Sequence, residues 1–315
     1  MNKKSMYFTL MTIIFLAIFT FIYLLPQYQR LSSSMIPTEM RIDSMNDFIK
    51  DLQRDTQRGL YISSYRSLLA MEQYIISNGK YVNDSGGLFI EALLDGTIYG
   101  RNYSIMAAST FRNWIDKIKS ESASFNIQAN ITIRDIRLFQ RDSWNVIAAA
   151  NLTFEISDIT GIASWKRDEY IESRISIIDF EDPVYIVSSL GRTTNTINIT
   201  PFEDNYTYYN GGWNVSNLVT HLQRSYYTSS TDGPSFLQRL EGNFTSSEFG
   251  IESLVNLKKL NDQGLQVDTS SSVVDYHYWN SDGNGDYRIN FTPSWFRLDF
   301  DHLAVYEVES LSYEE

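Results

Sequence analysis

The feature that most constrains this chain is an uninterrupted apolar run close to its N-terminus. Residues 7–25 are nineteen consecutive residues without a charge, and Lys3 and Lys4 precede them. As a helix that rises about 1.5 Å per residue, the run is roughly 28 Å long, close to the thickness of a bilayer core. The run therefore predicts a transmembrane helix. A cleaved secretory signal with a cut near Ser32–Ser34 is the alternative, although the apolar region of such signals is usually about 7–15 residues.

The charges that flank the run predict its orientation. Lys3 and Lys4 lie before it, and Arg30 is the single basic residue in the fifteen positions after it. The positive-inside tendency then favours a cytoplasmic N-terminus and an extracellular C-terminal domain. The sequence thus predicts a single-pass protein of the cell membrane, with the lipid bilayer as its first partner.

An excess of N-glycosylation sequons supports export. The chain has 22 Asn and 58 Ser plus Thr residues, which would produce about four N-x-[ST] sequons by chance. Nine are present, and they predict a glycoprotein, while accidental sequons in an Asn/Ser/Thr-rich chain are the alternative. The sequon asparagines are Asn83, Asn102, Asn130, Asn151, Asn198, Asn205, Asn214, Asn243 and Asn290.

Composition excludes several classes of function. The chain has no cysteine, so it has neither disulfides nor thiol chemistry. Its formal net charge of −12 repels phosphate backbones, so nucleic acid is not predicted as a partner.

Periodicity predicts the organisation of the chain. Apolar residues recur at three- and four-residue steps between Ile42 and Thr56 and indicate an amphipathic helix. Strict alternation in 127–133, 146–156 and 171–177 indicates three strands of an antiparallel meander. The segments 272–279 and 287–291 are predicted to pair as a hairpin.

The predicted fold class is α+β, with an N-terminal transmembrane helix and helical stalk followed by an exported domain that contains the antiparallel β-meander and packed helices. The predicted division is a basic cytoplasmic leader (1–6), the transmembrane helix (7–25), a linker and amphipathic stalk (26–78), an α+β domain (79–182) and a loop-rich second part (183–315).

The N-terminus resembles that of type IV pilin-like proteins. The matching residues are Lys3, Lys4, Ser5 and the apolar run 6–25. In that family a basic leader and a small residue at the cleavage point precede an apolar helix, which continues into an exported α+β domain. The family usually has Gly or Ala before the cut and Glu or Gln near the start of the run. This chain has Ser5 at the cut and no Glu or Gln there, and a plain signal-anchor accounts for the same residues.

The acidic, cysteine-free and sequon-rich composition is similar to that of uncharacterised archaeal membrane-anchored surface proteins. The pilin-like resemblance covers about the first 75 residues. It implies partners that are copies of this chain, or other membrane or pilus components, contacted through residues 7–76. Assembly of this kind also predicts that the apolar face of the helix from Thr38 to Ile76 stays unburied in a single copy.

Two groups of residues are candidate metal ligands. Asp282, Asn284 and Asp286 alternate as in a calcium loop, although Tyr287 and Pro293 stand where an EF-hand needs Gly and Glu. A Gly/Asn/Asp hairpin turn explains the same residues and is favoured, with weak Ca²⁺ binding as the alternative.

The histidines are the second group. His221, His277 and His302 are far apart in the sequence, and His302 stands near Asp299 and Asp301, from which a zinc or manganese site could be drawn. Zinc and manganese sites usually show tight ligand spacing, so packing histidines are favoured over a site.

No enzyme is predicted, because no nucleophile, P-loop or dinucleotide motif occurs. The carboxylate pairs Asp168/Glu169 and Glu181/Asp182 fit solvated strand ends better than acid–base catalysis. The predicted function is a structural cell-surface or pilin-like role. The alternatives are a surface receptor or adhesin that binds carbohydrate or protein through an aromatic loop (Tyr206, Tyr208, Tyr209, Trp213), and an anchored exported enzyme.

Overall fold

The computed structural model describes residues 3–281 and 283–314, and within its first helix it describes the side chains of 10–23 and 39–78. The chain divides into two compact units. Unit 1 comprises Met1–Thr56, Ile118–Ile131 and Phe154–Arg167, and unit 2 comprises Gln57–Lys117, Thr132–Thr153 and Asp168–Glu315.

The fold is α+β, with helices and small antiparallel sheets. The helices are α1 (Lys3–Asn78), α2 (Ser85–Asp95), α3 (Phe111–Ser124), α4 (Pro183–Ser188), α5 (Ser216–Arg224), α6 (Phe236–Glu241), α7 (Leu257–Asp262), α8 (Asp275–Asn280) and α9 (His302–Val305), with 3-10 turns at Ser104–Met106 and Glu309–Leu311. The strands are β1 (Thr97–Ile98), β2 (Arg101–Asn102), β3 (Ile127–Asp142), β4 (Asn145–Asp158), β5 (Ser164–Ser176), β6 (Tyr208–Tyr209), β7 (Trp213–Asn214), β8 (Tyr227–Ser229), β9 (Ile251–Ser253), β10 (Tyr287–Ile289), β11 (Arg297–Leu298) and β12 (Ser312–Glu314).

The prediction of a transmembrane helix at 7–25 is wrong. In the part of the chain that the structure describes, none of the helices combines the length and the apolar character that crossing a bilayer requires. Three predictions that depended on this helix are wrong for the same reason. They are the fold class with a transmembrane helix, the signal-anchor, and the single-pass location with a cytoplasmic N-terminus and an extracellular domain. The side chains of the predicted leader, 1–6, including the cleavage point Ser5, lie outside the described residues.

Helix α1 is continuous from Lys3 to Asn78. The helix continues through both Pro26 and Gly59. Gly59 serves packing, since a Cβ there would lie 2.5 Å from the ring of Trp114. The absence of a side chain therefore lets α3 approach α1 closely within unit 2.

The amphipathic part of α1 is packed rather than open. Met45 and Leu52 are buried in unit 1, and Leu60, Leu68 and Met71 are buried in unit 2. Arg41 secures α1 in unit 1, because its guanidinium bonds Asp158 Oδ1 at 2.7 Å and donates to the carbonyls of Phe125 and Asn126 at 2.8 and 3.0 Å. The prediction of an unburied apolar face between Thr38 and Ile76 is therefore wrong.

The predicted meander is present as the sheet β3–β4–β5, with neighbours in chain order. In the first half of β3, Ile127, Ala129 and Ile131 are buried and alternate with exposed residues. This two-residue period is why the alternation identified the strand correctly.

The core of unit 2 is built from short elements and many aromatic side chains. It includes Tyr185, Tyr206, Tyr276, Phe296 and Tyr306, all nearly inaccessible to solvent. Short helices are stabilised by side-chain caps, such as the capping box between Ser235 and Gln238 that starts α6. The small sheets β8–β9 and β11–β10–β12 complete this core.

The predicted hairpin between 272–279 and 287–291 is wrong. Asp275–Asn280 forms the helix α8, and β10 pairs with β11 and β12 instead. Buried polar contacts of Asp275, described below, hold the start of this helix in unit 2. Such contacts do not show in the alternation of side chains, so local pattern misassigned the segment.

Close contact between two backbone segments makes Gly250 necessary in unit 2. A Cβ at Gly250 would lie 2.0 Å from the carbonyl oxygen of Gly233 and 2.3 Å from that of Ser230. We expect Gly250→Ala to destabilise the protein by about 1–3 kcal/mol, because backbone atoms must move apart. Urea denaturation followed by tryptophan fluorescence measures the loss. Gly212→Ala is the control, since nothing lies within 4 Å of its Cβ position, and equal midpoints for the two variants would contradict the prediction.

Candidate functional site

The first candidate is the apolar segment of α1, defined as residues 10–23. Every large apolar side chain in it is at least 48% exposed, and Phe19 reaches 73%. The exposed side chains point to all sides of the helix, because they occupy nearly every consecutive position. Thr20 adds no polar surface of consequence, since its hydroxyl donates to the carbonyl of Leu16 at 2.6 Å.

A helix with apolar residues all round is normally buried. Single exposed apolar side chains are common on protein surfaces, but a contiguous apolar surface of this kind marks an interaction site. The segment therefore requires a partner surface that covers it.

The second candidate lies inside unit 2 and begins with a buried arginine. Arg239, on α6, is 0% exposed. Its Nη1 donates to Asp182 Oδ2 at 2.6 Å, and its Nη2 donates to Asp275 Oδ2 at 2.9 Å and to the Ile251 carbonyl at 2.6 Å. We call Arg239, Asp182 and Asp275 the arginine centre.

Neutral polar groups complete the arginine centre. Tyr227 donates its hydroxyl to Asp182 Oδ2 at 2.7 Å and accepts from Asn195 Nδ2 at 2.9 Å. Ser253 donates to Asp275 Oδ2 from its backbone nitrogen at 3.0 Å and from its hydroxyl at 2.7 Å. These bonds replace the water that the two buried carboxylates lose on folding.

Burial and pairing set the charges in the arginine centre. Burial disfavours the charged guanidinium, but Asp182 and Asp275 outweigh that cost and raise the pKa of Arg239. Burial raises the pKa of Asp275 to about 6, although Arg239 acts against the shift. Both terminal nitrogens of Arg239 and both carboxylates are bonded within the protein, and Arg239 Nε is left without a partner. This arrangement fits a structural anchor better than a reactive centre.

A histidine centre, defined as His277, Asp299 and His302, lies in the same unit. One ligand atom from each side chain falls within 4.8 Å of the others. His302 Nδ1 lies 2.6 Å from Asp299 Oδ1, and the rings of His277 and His302 are 5.5 Å apart between centroids. The half-buried His277 and Asp299 form its outer side, and the buried His302 forms its inner side.

Behind the histidine centre, the other imidazole nitrogen faces buried oxygen atoms. His302 Nε2 lies 2.9 Å from the Tyr276 hydroxyl and 3.2 Å from Glu252 Oε2. The second carboxylate oxygen of Glu252 accepts from the Tyr306 hydroxyl at 2.8 Å. Asp299 is held in turn by the hydroxyl of Ser272 at 2.7 Å.

The two carboxylates determine the protonation of this centre. Burial would lower the pKa of His302, but hydrogen bonds to Asp299 and Glu252 outweigh it and raise the pKa to about 10. Burial would likewise raise the pKa of Asp299, yet its bond to His302 dominates and lowers it to about 2. At neutral pH, therefore, an imidazolium lies between two carboxylates.

None of the nine sequon asparagines is buried. Six are exposed and three, Asn151, Asn198 and Asn214, are half-buried. A glycan on any of them would not require a core side chain to move, and glycosylation stays a prediction.

The predicted calcium ligands are only partly described. Asp282 lies outside the described residues, while Asn284 and Asp286 are exposed. Gly283 explains part of this turn, because a Cβ there would lie 2.5 Å from the Cβ of His277. Weak calcium binding at this turn stays a prediction.

The aromatic loop is split between core and surface. Tyr206 is buried, whereas Tyr208, Tyr209 and Trp213 are exposed on the hairpin β6–β7. Tyr209 and Trp213 pack edge to face with ring centroids 5.5 Å apart. One of the four predicted binding residues, Tyr206, is therefore part of the core, and binding by the other three stays a prediction.

The two carboxylate pairs have different surroundings. Asp168 is exposed and accepts from the Thr153 hydroxyl at 2.6 Å. Asp182 belongs to the arginine centre, which sequence reasoning missed because nothing in the pattern around Arg239 distinguishes a buried arginine. Two of the three residues of the histidine centre, Asp299 and His302, are close in the sequence. His277 is 25 residues away from His302 in the sequence and joins it only through folding.

Comparison with protein-family models, curated proteins and solved structures found no match to this chain.

Proposed function

We propose that this chain is a structural protein that acts by self-assembly, in which the apolar segment of α1 packs against the same segment of other copies. The observation that carries the proposal is the exposure of every large apolar side chain from Leu10 to Tyr23. The compact remainder of the chain is then the part that each copy presents on the assembly.

The energetics favour association strongly. Fully burying one Leu, Ile or Phe side chain stabilises by about 1.5–3 kcal/mol. The segment offers eleven large apolar side chains, from Leu10 to Tyr23. Even partial burial therefore exceeds the cost of about 4–15 kcal/mol for the lost freedom of two associating proteins.

The distribution of the side chains argues for like helices as the partner. A flat or grooved partner would cover one side of the helix and leave the other sides in water. Packing among several identical helices covers more sides of each helix than one flat or grooved partner does, and assemblies of identical chains are the commonest soluble oligomers. The segment has no charge, so identical copies approach without electrostatic repulsion along it.

The assembly surface is narrower than the sequence implied. Residues 7–76 were predicted to make the contacts, but the apolar face beyond residue 39 is occupied within the two units by Met45, Leu52, Leu60 and Leu68. Among the residues whose side chains the structure describes, the assembly contacts are accordingly assigned to 10–23.

Light scattering coupled to size-exclusion chromatography tests the proposal on the full chain in detergent-free buffer. We expect the unaltered chain to form oligomers and the double variant Leu16→Glu/Phe19→Glu to shift to monomer, because charges in an apolar interface are costly. Leu190→Glu is the matched control, since Leu190 is 79% exposed outside the segment, and it should keep the oligomer.

Circular dichroism on the same samples establishes that the variants stay folded. A monomeric unaltered chain, or a double variant that assembles as before, would overturn the proposal. A chain that stays monomeric but binds phosphatidylcholine vesicles through 10–23 would also overturn it, because lipid would then be the partner.

A further inference from the structure

The geometry points to a binding site for a divalent transition-metal ion of the zinc class at the histidine centre, with His277, Asp299 and His302 as the protein ligands. Two imidazoles and one carboxylate are a ligand set that zinc accepts, and a site with three protein ligands leaves a fourth position for water.

The distances are compatible with an ion after small side-chain movements. Zinc bonds to nitrogen and oxygen are about 2.0–2.2 Å, so ligand atoms around a tetrahedral ion lie about 3.3 Å apart. The three ligand atoms already lie within 4.8 Å of one another, and the His302 Nδ1 to Asp299 Oδ1 distance is 2.6 Å. The ion would take the place of the proton between these two atoms, which then separate by less than about 1 Å.

The surrounding contacts are those of a metal-binding histidine. Such a histidine usually directs its second nitrogen to a carboxylate, which sets the orientation of the ring and strengthens the bond to the metal. Here His302 Nε2 faces Glu252, which the Tyr306 hydroxyl holds, and Asp299 is held by Ser272. His302 and Asp299 are thus positioned before an ion arrives.

Charge and access also favour a cation. The carboxylates of Asp299 and Glu252 face a single imidazole, so the centre is negative once the imidazole proton has left. His277 and Asp299 are half-buried, so these two ligands keep some contact with solvent. The tight packing of His277 against Gly283 limits the positions that its ring can take.

Isothermal titration of the EDTA-treated full chain with ZnCl₂ tests the site. We expect one saturable ion per chain at the histidine centre, and an affinity at least ten-fold weaker in His277→Ala and in Asp299→Asn. His277→Ala is the more informative variant, because it leaves the bonds among His302, Asp299 and Glu252 intact. Asp301→Asn is the matched control, since Asp301 is exposed two residues from Asp299, and its affinity should equal that of the unaltered chain.

A second readout uses Co²⁺ alone as the probe. Tetrahedral Co²⁺ with nitrogen ligands should produce visible absorption bands in the unaltered chain and in Asp301→Asn, and these bands should be lost in folded His277→Ala. Zinc binding to His277→Ala with unchanged affinity, or no saturable binding to the unaltered chain, would overturn the proposal.

Discussion

Replacing Arg239 by methionine is expected to destabilise the protein by about 3–5 kcal/mol, because the change leaves buried carboxylates without their cation. Asp182 and Asp275 both bond the guanidinium and are completely inaccessible to solvent. Methionine fills a similar volume, so loss of charge rather than a cavity causes the effect. Urea denaturation followed by circular dichroism measures this loss of stability. A variant that does not fold at all would show a loss in the same direction that is larger than expected.

A rescue experiment separates charge from packing. The triple variant Arg239→Met/Asp182→Asn/Asp275→Asn removes the stranded charges and should recover part of the lost stability. Arg141→Met is the control arginine, because Arg141 bonds Glu172 with two hydrogen bonds on the surface and solvent replaces that contact. A loss for Arg239→Met no greater than for Arg141→Met would contradict the structural role assigned to the arginine centre.

The second large effect is a pH dependence centred on Glu72 of unit 2. Burial raises the pKa of Glu72 from 4.5 to about 7, and its contact with the backbone nitrogen of Glu181 lowers the pKa only partly. Because the folded state holds this proton more tightly than the unfolded state, the stabilisation is complete below pH 4.5 and is lost as pH rises through about 7. Between pH 5 and pH 8 the loss is about 2–3 kcal/mol.

Glu72→Gln should remove this dependence, since the amide keeps an acceptor for Glu181 and has no charge to bury. The free energy of unfolding in urea is measured for the variant and for the unaltered chain at each pH. The difference between the two values cancels the contributions of the other titrating groups. We expect the variant to gain about 2–3 kcal/mol relative to the unaltered chain on going from pH 5 to pH 8. Glu309→Gln, at an exposed carboxylate, is the control, and a flat difference for Glu72→Gln would show that Glu72 is ionised without cost.

Local patterns predicted some elements of this fold well. The alternation at 127–133 predicted β3, because the start of this strand has one buried face and therefore a two-residue period. The alternation at 146–156 also predicted β4, although that strand is buried on both faces along most of its length. By contrast, α8 was misassigned, because the buried side chain of Asp275 pairs with an arginine 36 residues earlier in the chain.

In the candidate sites, too, some features are evident in the sequence and others arise only when the chain folds. The apolar character of 10–23 is evident in the sequence, but whether those side chains are covered is a property of the folded chain. Asp299 and His302 are close in sequence, whereas His277 and Glu252 join them only through the packing of unit 2. A spacing rule could not find that set, because its members come from separate elements.

By itself, the sequence determined that this chain has an uncharged apolar run near its N-terminus, an acidic surface, no thiol chemistry and a three-stranded meander. Only the tertiary structure decided that the amphipathic face of α1 is packed within the two units, that 10–23 stays exposed, and that Arg239 and His302 are buried among carboxylates. The physical reason is that hydrophobic periodicity reports the local face of an element. Burial of a charge depends on partners that are distant in sequence and become neighbours only when the chain folds.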